Sequence, residues 1–234
     1  MKKKMSRREF LKASAAVGAV LSMSPNVSLA QEAKTIQLSK PQIGSSNSLM
    51  HLLWKRMSAR QFSSEPLPVE VLSNLLWAGF GVNRPDGKRT APSAMNCQDI
   101  DIFVILPDGL YHYDAKANQL NRILAEDLRG LAGTQAYVKE APVNLIYVSD
   151  HSKLGGKIPE QVKIFYGSTS LTDLLSGAHA GLISENISLY CASEGLSTVV
   201  RALIDIPVLS KVMKLRPDQK IILAQSVGYP KKTS

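Results

Sequence analysis

Cysteine is scarce in this chain, and so are histidine clusters, nucleotide-binding glycine motifs and long apolar runs. Among 234 residues only Cys97 and Cys191 are cysteines. That is too few for the disulfide framework of a small secreted scaffold; a single pair formed after export stays open, and two free, mostly buried thiols are the favoured reading. The four histidines, His51, His112, His151 and His179, are scattered and form no His/Cys group at metal-ligand spacing, so no metal site is expected. G-x-G-x-x-G, G-x-x-x-x-G-K-[ST] and G-x-S-x-G are all missing, which removes the dinucleotide-fold, P-loop and hydrolase-elbow readings. No apolar run beyond residue 30 is long enough to span a bilayer, so stable membrane insertion is not expected. Excess positive charge is also lacking once the N-terminus is set aside. Residues 1–30 hold Lys2, Lys3, Lys4, Arg7, Arg8 and Lys12 against Glu9, and the remainder carries 22 basic and 18 acidic residues, a net of +4 out of the formal +9. That balance gives no footprint for nucleic acid.

What is present begins with Ser6-Arg7-Arg8-Glu9-Phe10-Leu11-Lys12, followed by small and apolar residues from Ala13 to Leu21 and by Ser28-Leu29-Ala30. A basic region, a short apolar region and a small-x-small site make a secretory leader. The arginine pair with its Phe-Leu-Lys continuation resembles the twin-arginine signature, a receptor-read address for cargo folded before export. Cleavage is expected after Ala30, leaving a periplasmic or otherwise exported protein. Cargo of this route commonly carries a cofactor inserted beforehand.

Residues 31–46 read as an extended arm, and 47–234 as one domain. Asn47 is a candidate N-cap for a helix reaching about Met57, and Pro68 starts a second from Val69 to Phe80, ended by Gly79 and Gly81. Residues 82–98 read as a long loop. Ile100–Leu106 and Val143–Val148 read as strands, with Leu110–Tyr113 as a hairpin partner. Leu124–Leu131 reads as helical. A long helix spans about 168–194, with Ser176, Gly177, Ala178, Ala180 and Gly181 giving a small face for close packing. Thr198–Val200 and Ile221–Ala224 are strand candidates, with a helix around Pro207–Leu215 between them. The whole is α+β, without internal repeats.

Three separated clusters carry chemistry. In Arg56-Met57-Ser58-Ala59-Arg60, two guanidinium groups flank a hydroxyl, which suits a phosphate ester or another anion; a solvated basic helix end has the same composition. In Pro92-Ser93-Ala94-Met95-Asn96, the Asn96 amide offers one acceptor and two donors to a heterocycle edge, and the same residue types also serve plain turns. Glu194-Gly195-Leu196 admits positive φ or close backbone approach at Gly195, or a simple helix C-cap. The chain closes with Val227-Gly228-Tyr229-Pro230-Lys231-Lys232.

Taken together, K-R-x-S-x-R-x-F, P-S-x-x-N-x-Q, E-G-L and V-G-Y-P-K, in this order from about residue 50 to 232, resemble the FMN-dependent nitroreductase family. Leu75-Leu76-Trp77-Ala78, Gly81-Val82-Asn83-Arg84 and Arg89-Thr90-Ala91-Pro92-Ser93 look most like its SagB-type dehydrogenase branch. The resemblance implies a nitroreductase-like fold, with a central mostly antiparallel sheet flanked by helices, in an intertwined homodimer with FMN at the interface. It implies that Arg56, Met57 and Ser58 hold the phosphate and ribityl chain, and that Arg60 stabilises charge on the flavin ring. Pro92, Ser93 and Asn96 would line the ring, Glu194 and Gly195 would approach it with their backbone, and Lys232 with Lys231 would meet the phosphate. No residue of the chain itself is expected to act as acid or base, because the flavin carries the chemistry. Cys97-Gln98-Asp99 stands where many relatives have Gln-Pro-Trp, and Met95 where the branch often has glycine, so no substrate-pocket residue is carried over.

The resulting expectation is an exported oxidoreductase passing hydride or electrons between a small organic substrate and FMN by a ping-pong mechanism. Nicotinamide cofactors are not expected outside the cytoplasm, so another reductant is implied. The competing expectation is a flavin carrier or scaffold without turnover, and a third is an FMN-free structural relative.

Overall fold

The strand residues explain the architecture directly. In the computed structural model, which describes residues 43–45, 48–155 and 170–232, β4 (Val143–Asp150) is buried at every position. A strand covered on both faces reads as a continuous apolar run, and it must be central. Around it stand β1 (Ile100–Leu106), β2 (Gly109–Asp114), β3 (Gln119–Leu124), β5 (Ser197–Arg201) and β6 (Gln219–Gly228) in the order β3-β2-β1-β4-β6-β5. All five pairings are antiparallel.

Alternation along β1 divides the core. Ile102 and Val104 face one layer with Leu145 and Tyr147, under α2 (Val69–Phe80) and α5 (Leu171–Glu194). Phe103 and Ile105 face the other, with Ile146, Val148 and Ala224, covered by α3 (Ala136–Glu140), α6 (Ile206–Val212) and Leu128. The two remaining helices are α1 (Leu49–Lys55) and α4 (His151–Gly155) among the described residues. No helix there is long and apolar enough to cross a membrane.

Several expectations need correction. The leader, most of the arm and Asn47 lie outside the described residues. The cap of α1 is Ser48, whose hydroxyl accepts from His51 N at 3.2 Å, and the helix stops at Lys55. Gly79 does not end α2. It is buried inside the helix, where an added Cβ would stand 2.7 Å from Ile187 Cδ1, so its lack of a side chain lets α2 and α5 approach. Gly81 caps α2 with extended backbone, φ −68°.

Residue 124 ends a strand rather than starting a helix, and only Arg129–Leu131 forms a short 3-10 turn. β3 is an outer strand with no buried position, so it has no apolar alternation to read. The small residues of α5 fall on two faces, and its two glycines are not the ones that pack within the chain. Added Cβ atoms at Gly177 and Gly181 would meet nothing within 4 Å, while the buried face is His179, Ala180, Ile183, Ile187 and Cys191. Both cysteines are free and buried, as read from the sequence.

Candidate functional site

The segment after α1 is positioned by backbone bonds at one end of the sheet. Arg56 is the C-cap of α1, and its N–H donates to Leu52 O at 2.8 Å. Further along, Ala59 N donates to Thr198 O at 2.9 Å and Ser63 N to Tyr229 O at 2.9 Å. Phe62 pairs with Pro230 and is sealed against Ala141 and Val199, which anchors the segment by burial. These contacts bring residues 56–62, the start of β5 and the tail 229–232 together, although they are far apart in sequence.

Next to this seam a cavity of about 320 Å³ is lined by Met57, Ala59, Cys191, Gly195, Thr198 and Pro230. Gly195 caps α5 in the left-handed conformation, φ +68°, and no heavy atom lies within 4 Å of where a Cβ would stand. Its backbone is therefore open to close approach by a flat group. A second hollow of about 530 Å³ is lined by Arg60, Gln61, Tyr137, Glu140, Lys231 and Lys232, three cations against one carboxylate. Arg56 is half-buried with Nε 3.7 Å from Glu185 Oε1. Met57 is 70% exposed. Burial pushes the Cys191 thiol up to about 12, so it stays protonated and inert.

The Pro92–Asn96 cluster lies elsewhere. Ala94 N donates to His179 Nε2 at 2.8 Å, and from His179 to Gly195 α5 advances about 24 Å. Sheet register agrees: β1 enters at Ile100 opposite Ser149, whereas Val227 leads to the other site opposite Val143. A single chain thus holds two separated groups of the candidate residues, one made of the first and third clusters and the tail, the other of the second cluster alone.

That second loop is held by its own side chains. Gln98 N donates to Ser93 Oγ at 3.0 Å, and Gln98 Nε2 donates to Asn96 Oδ1 and to Gly87 O, each at 3.0 Å. Arg89 Nε donates to Gln98 Oε1 at 3.0 Å and its guanidinium lies over Phe80. Met95, Asn96 and Gln98 have φ of 52°, 49° and 49°, each a left-handed conformation costing about 1–2 kcal/mol for a residue with a Cβ. Met95→Gly is expected to raise Tm by about 1–3 °C, the relieved strain being partly offset by the greater freedom of glycine in the unfolded chain. A lower Tm in a melting scan would show that the half-exposed Met95 side chain makes a contact worth more than the strain.

The fold also gathers Cys97, Asp99 and His179, all buried, with ligand-type atoms within 4.8 Å of one another. Nothing in the spacing of residues 97, 99 and 179 announces this, so the reading of scattered histidines missed the cluster. Asp99 accepts from Ser149 Oγ at 2.8 Å and from Cys97 Sγ at 3.2 Å, and lies 2.6 Å from His179 Nδ1. Burial pushes the Asp99 carboxyl up, but the hydrogen bonds from His179 and Ser149 outweigh that and hold it below its ordinary value.

Comparison with known proteins follows the same geometry. Residues 4–24 match the model of the twin-arginine translocation pathway signal sequence, so the N-terminus is an export signal of that pathway. Residues 53–229 match the model of the Nitroreductase family. A candidate nitroreductase of Methanocaldococcus jannaschii is 30% identical over 161 residues, covering 64% of this chain and 76% of its own. The crystal structure of a candidate nitroreductase from Ralstonia eutropha is 40% identical, with a TM-score of 0.72 over 84% of this chain and 89% of its own. The NADPH:FMN oxidoreductase of Vibrio harveyi, at 19% identity and a TM-score of 0.55 over 78% of this chain and 69% of its own, shares the fold. With the motif segments seated at the two ends of an antiparallel six-stranded sheet, and with three quarters of its length matched, this chain belongs to the nitroreductase family of oxidoreductases.

Proposed function

We propose that the chain is an exported FMN-dependent oxidoreductase acting on a small organic substrate by a ping-pong mechanism, in an intertwined homodimer. The observation that carries this reading is the meeting of residues 56–62, the start of β5 beside Gly195 and the tail 229–232 at one end of the sheet. Its residues fit FMN: Lys231 and Lys232 offer positive charge for a phosphate, and open backbone at Gly195 admits an aromatic ring. Bound FMN would supply the redox chemistry. In this reading Arg56, Met57 and Ser58 bind the phosphate and ribityl end, Glu194 and Gly195 present backbone to the ring, and Arg60 stabilises negative charge at its polar edge.

The Pro92–Asn96 loop of the same chain is too distant to share that ring, so the partner's copy completes the site. The unpartnered apolar surface supports this. Helix α1 buries none of its residues, and Leu49, Leu53 and Trp54 are exposed, Trp54 by 70%. On α5, Leu174 and Leu182 are exposed beside the open Gly177 and Gly181. A stripe of that kind is the mark of an interface. The SagB-type branch is read from Leu75–Ala78, Gly81–Arg84 and Arg89–Ser93, while Met95, at φ +52°, departs from the glycine that branch often has. The domain is read as 47–234 behind a leader of 1–30 and an arm of 31–46. The exported location argues for a reductant other than NAD(P)H.

The test is the absorption spectrum of the purified protein together with the identity of the cofactor released by acid. Stoichiometric FMN is expected, and colourless protein after cytoplasmic expression would sink the reading. Rapid mixing with reductants and acceptors then separates enzyme from carrier, since an enzyme bleaches and recovers at catalytic rates.

A further inference from the structure

We infer that Asp99 and His179 form a buried positioning pair that holds the Ser93–Gln98 loop in its left-handed conformation against α5. The consequence for the flavin rests on the function proposed above; the pair itself does not. Asp99 is 0% and His179 4% exposed. A backbone N–H can only donate, so the bond from Ala94 N, 2.8 Å long, requires a lone pair on His179 Nε2. The ring proton is therefore on Nδ1 and is donated to Asp99 Oδ1 at 2.6 Å. Asp99 selects that tautomer because its carboxylate can only accept.

The carboxylate is itself fixed. Ser149 Oγ donates to its other oxygen at 2.8 Å, and Asp150 N donates to its backbone carbonyl at 2.8 Å. A cation does not suit this cluster, because Nδ1 carries the proton and has no lone pair to offer. The Cys97 thiol, pushed up by burial and by Asp99, likewise serves as a donor to that carboxylate.

The bonds among Ser93, Asn96 and Gln98 close the loop on itself. The His179–Ala94 bond ties it to the body of the domain, beside three residues at positive φ. Backbone strain of that kind persists only where neighbouring contacts over-determine it. The arrangement resembles in logic a carboxylate that orients a catalytic imidazole, but here the imidazole holds a main-chain N–H in place of a substrate proton.

The test uses the full chain with ¹⁵N-labelled histidine. Of the four histidines, one is expected to be locked with its proton on Nδ1, and that signal disappears in His179→Gln. If no ring shows an Nδ1–H lock, the pair is overturned whatever the flavin does. Hydrogen exchange supplies the second reading. His179→Asn keeps an amide for Asp99 but loses the acceptor for Ala94, so exchange across residues 93–98 is expected to be about tenfold faster. His179→Gln sets an amide oxygen where Nε2 stood and should restore slow exchange; equal exchange in all three proteins overturns the pair. In FMN-loaded His179→Asn the visible circular dichroism of the flavin should change. A loosened loop with an unchanged flavin signal upholds the pair and overturns the proposed placement of the loop against the ring.

Discussion

Replacing Arg56 with alanine is expected to weaken FMN binding by about 10–100-fold, the value of one or two charge-assisted hydrogen bonds to a phosphate. Folding should hardly notice. The side chain is half-buried, and its partner Glu185 is 3.7 Å away with half of its own side chain in solvent. An ion pair this exposed is worth about 0–1 kcal/mol, so Tm should move by less than about 4 °C. Arg56 also holds its position by main chain, through its N–H to Leu52 O, and alanine keeps that bond. Arg56→Lys should recover part of the affinity, because it restores the charge without the planar fork. Fluorescence titration of the apoprotein with FMN reads the affinity, and melting scans read the fold. Full cofactor occupancy in Arg56→Ala after dialysis would count against the phosphate role, and a large fall in Tm would assign Arg56 to the fold instead.

Much of this architecture is written locally. Ile100–Leu106, Val69–Phe80 and the end of α5 at Glu194 coincide with sequence boundaries because a short apolar run, an N-terminal proline and a C-terminal glycine each act within a few residues. β3 was illegible for the opposite reason. It sits outermost in the sheet, pairs only with β2 among the described residues, and has no fully buried side chain, so its conformation is fixed largely by main-chain bonds that almost any residue can make. The direction of the α5 glycines was equally hidden, since small residues suit close packing within a chain or between chains. For the candidate site, motif order located the segments, but their grouping depends on which end of the sheet each one reaches. Asp99 and His179, 80 residues apart, meet only because α5 crosses the entry of β1. No spacing rule covers a contact made by tertiary packing.

The amide of Gln225 should be the most costly single side chain to lose behind the cavity. Gln225 is 0% exposed; its Oε1 accepts from Tyr147 Oη at 2.5 Å, and its Nε2 donates to Thr198 Oγ1 at 2.9 Å and to Ser188 Oγ at 3.3 Å. One side chain of β6 thereby joins β4, β5 and α5. Leucine has nearly the same volume, so Gln225→Leu opens little space, but it strands the Tyr147 hydroxyl. That hydroxyl is fully buried, and burial pushes its ionisation well above the ordinary value, so it remains a donor in search of an acceptor. An orphaned buried donor costs about 1–3 kcal/mol and each lost bond about 1 kcal/mol, giving about 3 kcal/mol in all, or about 6–12 °C in Tm. Adding Tyr147→Phe removes the orphan, so the double variant should be more stable than Gln225→Leu by about 1 kcal/mol. Two losses that simply add would show that the pair is uncoupled. The consequence reaches the site through Thr198, whose carbonyl accepts from Ala59 N and which lines the cavity with Gly195. FMN affinity should therefore fall in Gln225→Leu and partly return in the double variant, following the restored packing of β5 against α5.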